Sequence, residues 1–304
     1  MTITRSNHPS NLWPGIKALF GNSYKAYGKP FEDYFQMEMS DKAYEEYMEA
    51  TGFGLAAPKP EGASIGYDND SEGYKTRLTN VTYGLGYIVT REALDDGQYK
   101  TISERRAPEL ARSMNSTKAI VHANVLNRGF SGSYVGGDGV ALFSASHPTL
   151  SGNQSNLLTA ADLSEAGLEA ATTAIQTMKS ARGHILGAQP MTLVIHPSEM
   201  FNASRILDSE LQSGAKTDTT STNNVNVLKA KGLIGKVVID PYLTDADAWF
   251  LTTDIPYGLV SQQRRALEFT KDNDFDTENA KAKATERYAA GWIDWRGVYG
   301  SAGA

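Results

Sequence analysis

Five histidines are the side chains that could most easily do chemistry at neutral pH: His8, His122, His147, His184 and His196. Protein metal sites take their ligands from short, regular spacings of histidine and other donors, and these five are scattered without such spacing. His147 and His196 each precede a proline, which disfavours helix at the preceding residue and predicts a turn or helix start there. A hydrolase built on His147 or His196 remains an alternative, which a His→Ala substitution tests by loss of activity.

Two acidic clusters could suggest calcium binding. The first is residues 68–72, DNDSE, and the second consists of Asp272, Asp274, Asp276 and Glu278. The second cluster begins like an EF-hand loop, but Thr277 stands where that loop requires glycine and Lys283 where it requires the final glutamate. We therefore expect solvated acidic turns at both places.

Other catalytic patterns are missing from the sequence. The chain has no cysteine, which excludes disulfides, thiolate metal sites and a cysteine nucleophile. Residues 214–220, GAKTDTT, lack the glycine spacing of a phosphate-binding loop, and the glycines of residues 135–139 lack a dinucleotide fingerprint. No GxSxG elbow is present. We predict no enzyme, and no catalytic, cofactor-binding or metal-ligating residue.

Composition restricts the class of protein. A chain of 304 residues with 40% hydrophobic residues can bury a large core, in one large domain or two smaller ones. Its net charge of −6 argues against a protein that binds nucleic acid by neutralising phosphates. No apolar run approaches the roughly 20 residues of a membrane span or forms a signal-peptide core, so we expect a cytoplasmic protein.

The longest helical pattern covers residues 101–130. Pro108 suits a first helical turn, and Arg128 with Gly129 supplies a basic last turn and a C-terminal glycine. One face carries the residues that we expect in the core, Leu110, Met114, Val121 and Val125, and a second apolar row widens it: Ala107, Ala111, Ala119, Ala123, Leu126 and Phe130. We expect the polar side to hold His122 and four basic residues, Arg105, Arg106, Arg112 and Lys118. Strands elsewhere in the chain should cover the apolar face.

The chain before this helix predicts small elements and an arm. Pro14 fits the start of a short helix that ends near Gly21, and a second short helix is predicted from Ser40 to Gly52. Residues 57–96 alternate glycines with aromatic and β-branched residues, which predicts a long, bent hairpin. Two-stranded ribbons are marginal in water, so this arm needs a surface supplied by something else.

Residues 159–262 predict an inserted unit of helices and strands. Thr159 should open a helix through a capping box with Asp162. A strand at 191–195 should precede a helix that begins at Pro197 or Ser198. We also expect strands at 236–239, 249–252 and 281–288, and an exposed mobile loop at 211–226.

Several segments carry a family resemblance in combination: residues 12–24 (LWPGIKALFGNSY), 59–68, 89–99 (VTREALDDGQY), 141–148 (ALFSASHP) and 292–301 (WIDWRGVYGS). Together they resemble the Mu-like bacteriophage major head subunit family, whose members have the Hong Kong 97-type capsid fold. The resemblance covers nearly the whole chain.

This resemblance implies an α+β fold with five parts. They are an N-terminal arm at 1–56, an extended loop at 57–96, a peripheral domain with the spine helix at 97–158, an axial domain at 159–262, and returning peripheral strands at 263–304. It implies a major capsid protein that self-assembles into pentamers and hexamers and forms the icosahedral head around double-stranded DNA. The implied location is the virion, with the host cytoplasm during assembly.

The same resemblance implies partners and contact residues. The partners are other copies of the chain, scaffold and portal proteins, a decoration protein or maturation protease in some relatives, and DNA held without sequence specificity; no cofactor or membrane is implied. Candidate inter-subunit contacts are Tyr74, Lys75, Arg77, Arg105, Arg106, Arg112 and Lys118. Lys75 is also the lysine to examine for covalent cross-linking, although no partner asparagine or catalytic glutamate can be assigned. We expect Val121→Asp to prevent folding and Arg112→Glu to leave a folded subunit that assembles poorly.

Two further alternatives stay open. An encapsulin-like compartment shell shares the fold and encloses enzymes, although residues 141–148 and 292–301 favour a virion. A soluble binding module would use its exposed hairpin to recruit a partner and would stay small and monodisperse in solution.

Overall fold

The computed structural model describes residues 13–95, 99–211, 225–274 and 277–304. Helices and sheets are mixed along these ranges, as an α+β fold requires. Most of the predicted loop at 211–226 lies outside the described residues.

The first sheet packs against two helices. Its strands are β1 (Gln36–Met39), β4 (Val81–Val89), β8 (Leu259–Asn273) and β9 (Ala280–Trp292), in the order β1-β8-β9-β4. The helices are α1 (Trp13–Ala26) and α3 (Tyr99–Asn127). Phe20 of α1 stacks on Phe269 of β8 with ring centroids 4.5 Å apart, inside a core that includes Leu110 and Met114 of α3.

The spine helix α3 begins earlier than predicted, whereas its end at Asn127 lies within one residue of the predicted Arg128. It begins at Tyr99, so Pro108 lies inside the helix and not in its first turn. Proline removes one intrahelical hydrogen bond, but the adjacent Ala107 is fully buried, and this packing favours continuation of the helix. Gly129 has a packing role, because a Cβ there would lie 2.5 Å from the ring of Phe143.

The projecting hairpin lies earlier in the chain than predicted. Strands β2 (Tyr44–Ala50) and β3 (Glu72–Thr79) pair antiparallel, whereas β4 pairs with β9. The helix predicted from Ser40 to Gly52 is therefore wrong, because these residues pair along their length with β3. The hairpin expected at 57–96 is wrong in its pairing, because its two strands belong to different sheets.

The second sheet has the order β10-β7-β5-β6. Its strands are β5 (Pro190–Ile195), β6 (Lys236–Ile239), β7 (Trp249–Thr253) and β10 (Val298–Ser301), and the first three confirm the predicted strands. The last strand comes from the end of the chain, so the unit at 159–262 is completed by β10. The helix α4 (Glu165–Gln176) is capped by Ser164, whose side chain accepts from the N–H of Gly167, and not by Thr159.

Three shorter helices complete the described chain: α2 (Arg91–Asp95), α5 (Met200–Leu207) and α6 (Val227–Lys231). A helical turn at Pro197–Glu199 leads into α5, which confirms the predicted helix start. The second core cluster lies between the second sheet and its helices, around Leu168, Leu193 and Trp249. Each sheet thus has a core cluster of its own, and a further cluster, which includes Leu126 of α3, Phe250 of β7 and Leu259 of β8, joins the two sheets. The β2–β3 hairpin packs on the first sheet through Leu78.

Candidate assembly surface

The link between β2 and β3 is the most exposed part of the described chain. Every residue from 53 to 72, the segment we call the arm, is exposed to solvent. The arm carries four large apolar side chains that are at least 66% exposed, Phe53, Leu55, Ile65 and Tyr67. Several large apolar side chains exposed on one segment are typical of a site that another molecule covers.

Hydrogen bonds join the two limbs at the base of the arm. The hydroxyl of Thr51 lies 3.0 Å from the carboxylate of Asp70 and 2.9 Å from the carbonyl oxygen of Ser71, to which it donates. The N–H of Gly52 donates to the Asp70 carboxylate at 2.9 Å. Asp70, in the cluster that could have suggested calcium, therefore accepts from the N–H of Gly52 and lies within hydrogen-bond distance of the Thr51 hydroxyl on the opposite limb.

A second contact ties the arm to the second sheet's unit. The Asp68 carboxylate accepts from the N–H of Gly54 at 2.7 Å and from Nη1 of Arg182 at 2.7 Å. Arg182 also donates through Nη2 to the carbonyl oxygen of Asn69. The Gly54 N–H and then the Arg182 guanidinium lower the pKa of Asp68, because both stabilise the carboxylate. We call these contacts the clip.

The three candidate contacts on β3 divide between its two faces. Tyr74 points inward and packs against the core, whereas Lys75 and Arg77 are exposed on the outer face. Burial raises the pKa of the Tyr74 hydroxyl. Arg77 is already paired within the subunit, since its Nε donates to Glu46 at 2.9 Å and its guanidinium lies 4.1 Å from the ring centroid of Tyr44. Lys75 and Arg77 are both exposed and can reach a neighbour, although Arg77 would do so while it holds Glu46, and Tyr74 is not available.

The base of the hairpin is held by a buried ion pair that the sequence did not indicate. Nη1 of Arg296 donates to Glu49 of β2 at 2.8 Å and to Asp294 at 3.2 Å. Burial raises the pKa of Glu49, and the hydrogen bond from Arg296 opposes that rise. The end of the chain thereby fixes where the hairpin leaves the body.

Three of the four basic residues expected on the polar side of α3 are exposed: Arg105, Arg106 and Arg112. Arg106 pairs with Glu109 at 3.1 Å, and Arg112 lies 5.9 Å from the ring centroid of Tyr27. These cations lie on the exposed side of the same turns of helix whose Ala107, Leu110 and Ala111 are buried in the core.

Lys118 is the exception, and its placement corrects the prediction. It is 4% exposed, and its Nζ lies 2.6 Å from both Glu286 of β9 and Gln263 of β8. Lys118 therefore cannot serve as an inter-subunit contact, because it neutralises a buried carboxylate within its own subunit.

His122 also faces the interior rather than solvent. It is fully buried, with Nδ1 donating to the Lys118 carbonyl oxygen at 2.7 Å and Nε2 accepting from Ser261 at 2.7 Å. Burial lowers its pKa to about 4, and the positive charge of Lys118 acts in the same direction.

The buried face of α3 is rotated from the first predicted row toward the second, which the burial of Ala119, Ala123 and Leu126 confirms. Leu110 and Met114 are buried, but Val121 and Val125 are only half-buried, because Ala119, Ala123 and Leu126 occupy the centre of the face. Of the four residues expected to share one buried face, the two nearer the start of the helix are therefore in the core and the two nearer its end are only partly covered, as the 3.6-residue turn of the helix requires.

His147 lies in a sealed polar cluster. Its Nδ1 is 2.5 Å from the Asp138 carboxylate, its Nε2 is 3.0 Å from Oδ1 of Asn156, and its ring stacks on Trp295 at 4.3 Å. Because Nδ2 of Asn156 donates to three backbone carbonyl groups, its Oδ1 is an acceptor and Nε2 of His147 must donate. Neither ring nitrogen is free to activate a nucleophile.

The remaining sequence candidates have structural roles or lie outside the description. His196 accepts from the N–H of Ser198 at the start of the helical turn, which confirms its predicted place. His8 and Asp276 lie outside the described residues. Within the described ranges, no group of histidine and carboxylate side chains could hold a metal ion. No described helix is long and apolar enough to cross a membrane.

Comparison with known proteins decides the family. The family model described as "Phage capsid protein" matches residues 73–301, from the second strand of the hairpin to β10. The chain belongs to the phage capsid protein family. No curated protein matches this phage capsid protein in sequence.

Solved structures share the fold of this phage capsid protein at low identity. A chain from the procapsid of bacteriophage JBD30 has a TM-score of 0.52 and 14% identity, covering 98% of this chain and 76% of its own. The capsid chain of cyanophage P-SCSP1u has a TM-score of 0.54 and 8% identity, with coverage of 90% and 88%. A virus-like particle from Pyrococcus furiosus has a TM-score of 0.53 and 10% identity, with coverage of 95% and 98%.

Proposed function

We propose that this chain is the major capsid subunit of a tailed bacteriophage, with a Hong Kong 97-type fold of the Mu-like kind. It self-assembles into pentamers and hexamers that build an icosahedral head around double-stranded DNA. The observation that carries this proposal is the arm: a phage capsid protein projects 20 consecutive exposed residues that include four large apolar side chains.

The arm explains how identical copies could form closed rings. It belongs to one subunit and must be covered by a different surface of the next, which makes the contact heterologous. Heterologous contacts close into rings when the rotation between copies divides a full turn. Many such contacts per subunit stabilise a shell even when each is weak, because every further contact is effectively intramolecular.

The parts of the fold receive the following roles in this proposal. The extended loop is the hairpin of β2 and β3 with the arm, and it lies over the adjacent subunit. The first sheet and α3 form the peripheral domain, and the unit at 159–262 together with β10 forms the axial domain near the ring centre. The outward cations Lys75, Arg77, Arg105, Arg106 and Arg112 contact neighbouring subunits.

Electrostatics and partners complete the proposal. A subunit with a net charge of −6 attracts DNA phosphates weakly, which suits a shell that is filled without sequence-specific binding. Scaffold and portal proteins direct assembly in the host cytoplasm, a maturation protease and a decoration protein act in some relatives, and the subunit itself has no catalytic role.

Substitution of the arm's apolar side chains tests the proposal. We expect the quadruple variant Phe53→Ser, Leu55→Ser, Ile65→Ser, Tyr67→Ser to keep the circular dichroism of the wild type and to remain a small species in sedimentation, while the wild type with its scaffold forms particles. Replacing two charged arm residues, Lys59→Ser and Glu61→Ser, is the matched control. Particle formation by the quadruple variant at the wild-type yield would contradict the role of the arm.

A compartment shell is the second candidate, because the particle from Pyrococcus furiosus shares the fold. The phage capsid family model favours the virion. Nuclease-protected DNA in particles isolated from infected or induced cells supports the phage head, whereas particles that hold only protein would support a compartment.

A further inference from the structure

We propose that Arg182 is a positioning residue for assembly, which fixes the direction of the arm before a neighbouring subunit binds. This inference rests on the proposed function of the arm. The clip consists of the contacts that Arg182 and Gly54 make with the arm's returning limb. In this inference, these contacts hold the arm's apolar side chains in the orientation in which the next subunit binds them.

The clip acts on both limbs of the arm at once. The outgoing limb offers the N–H of Gly54, and the returning limb offers the carboxylate of Asp68 and the carbonyl oxygen of Asn69. Arg182 donates to the latter two groups, so its guanidinium holds the returning limb while Asp68 holds the outgoing one. Without the clip, the arm would be fixed only by the contacts of Thr51 and Gly52 with Asp70 and Ser71.

Arg182 is itself presented by a rigid turn. The N–H of Gly183 donates to the Ser180 carbonyl oxygen at 3.0 Å, and Gly183 has a φ of +88°, which favours glycine. Gln154 donates to the same carbonyl oxygen at 2.9 Å. The neighbouring Ala181 is buried, so the turn is anchored to the body of the protein.

Arginine is suited to this place for a geometric reason. Its planar guanidinium presents Nη1 and Nη2 in a fixed fork, and here one prong meets the carboxylate and the other a backbone oxygen. A lysine offers a single point charge on a flexible stem and cannot fix both groups in one orientation.

The clip orders the arm without adding much to the stability of the fold. Asp68 is 48% exposed and Arg182 is 22% exposed, and ion pairs so close to solvent contribute little to folding. Ordering an exposed segment before it binds lowers the entropic cost of association. The clip is internal to the subunit, so this effect precedes contact with a neighbour.

Assembly kinetics of single variants test the inference. We expect Arg182→Ala to slow scaffold-directed assembly, followed by light scattering, by about tenfold, because the arm must then be ordered during binding. The unfolding midpoint should stay at the wild-type value, and protease cleavage within the arm should become faster. Arg182→Lys should restore part of the rate, and Arg205→Ala, at an exposed arginine of α5, should behave like the wild type.

Three outcomes would overturn the inference. The first is a wild-type assembly rate for Arg182→Ala, the second is a slower rate that comes with a lower unfolding midpoint, which would show a general structural role, and the third is unchanged protease cleavage within the arm. If the wild type itself forms no particles, the proposed function fails, whereas unchanged arm cleavage in Arg182→Ala refutes the clip alone.

Discussion

Lys118 and His122 show how polar side chains can occupy the buried face of a helix. Lys118 reaches Glu286 and Gln263, and His122 is held between the Lys118 carbonyl oxygen and Ser261. Buried charges are tolerated when they are paired and hydrogen-bonded. Here Gln263 also donates to Glu286 at 3.0 Å, which satisfies a further lone pair of the carboxylate.

Removing one partner of this buried pair should be more harmful than removing both. We expect Lys118→Met to lower the free energy of unfolding by about 3–5 kcal/mol, because the Glu286 carboxylate is left buried without its cation. The double variant Lys118→Met, Glu286→Met should be less destabilised than the single one. Chemical denaturation measures both, and a double variant with the summed loss of two single variants would contradict the coupling.

The low pKa of His122 predicts a loss of stability in mild acid. Above about pH 6.5 the imidazole is neutral in both the folded and the unfolded chain, so its contribution does not change. Between pH 6.5 and its folded pKa of about 4, only the unfolded chain takes up the proton, and stability falls with falling pH. The loss should reach roughly 3 kcal/mol near pH 4.

Other groups also titrate in this range, so a difference measurement isolates His122. His122→Gln removes the titrating group, and its free energy of unfolding should depend less on pH between 6.5 and 4 than that of the wild type. Denaturation curves across this range provide the comparison. Equal pH slopes for the two proteins would contradict the assigned cause.

Hydrophobic periodicity in the sequence located residues such as Leu110 and Met114, which are buried. It could not locate Lys118 and His122, because their burial depends on partners contributed by strands more than 100 residues away. The clip could not be predicted from the sequence either, because no local pattern indicates that Asp68 and Arg182, more than 100 residues apart, form an ion pair.

At the scale of elements, the rotation of α3 changes which substitutions should be severe. Leu126 is fully buried in the core cluster that joins the two sheets, whereas Val121 is half-buried. We expect Leu126→Ala to lower the free energy of unfolding by about 2–5 kcal/mol, the usual loss for such a cavity. Val121→Asp should keep the wild-type circular dichroism, in contrast to the expectation from the sequence that it prevents folding.

Chemical denaturation and circular dichroism of both variants decide between the two helix faces. If Val121→Asp is unfolded and Leu126→Ala keeps the wild-type free energy of unfolding, the observed buried face is contradicted and the predicted one is supported.

Strands of the second sheet could be predicted because they are short apolar runs bounded by turn residues, as at Lys236–Ile239. The strand Tyr44–Ala50 was mistaken for a helix, because its tyrosines and Met48 also fit a helical spacing. The pairing of β4 with β9 joins residues about 200 positions apart, for example Val81 with Tyr288. Local sequence patterns do not specify such a distant pairing, so they predict a hairpin between the consecutive strands β3 and β4, which do not pair with each other.

At the scale of the whole molecule, two sheets joined by a shared core cluster and one exposed arm make a subunit that leaves apolar surface for another copy. The family match begins at residue 73, so the arm lies outside the part of the chain that identifies it as a phage capsid protein. The arm's role therefore depends on its own exposure and contacts, and it needs a test that observes assembled copies.

Electron microscopy of the protein expressed alone and with its scaffold tests the central claim most directly. The account predicts closed shells of uniform diameter, with density for the arm of each subunit lying over its neighbour. A protein that stays monomeric under all conditions, or shells in which the arm contacts only its own subunit, would contradict it.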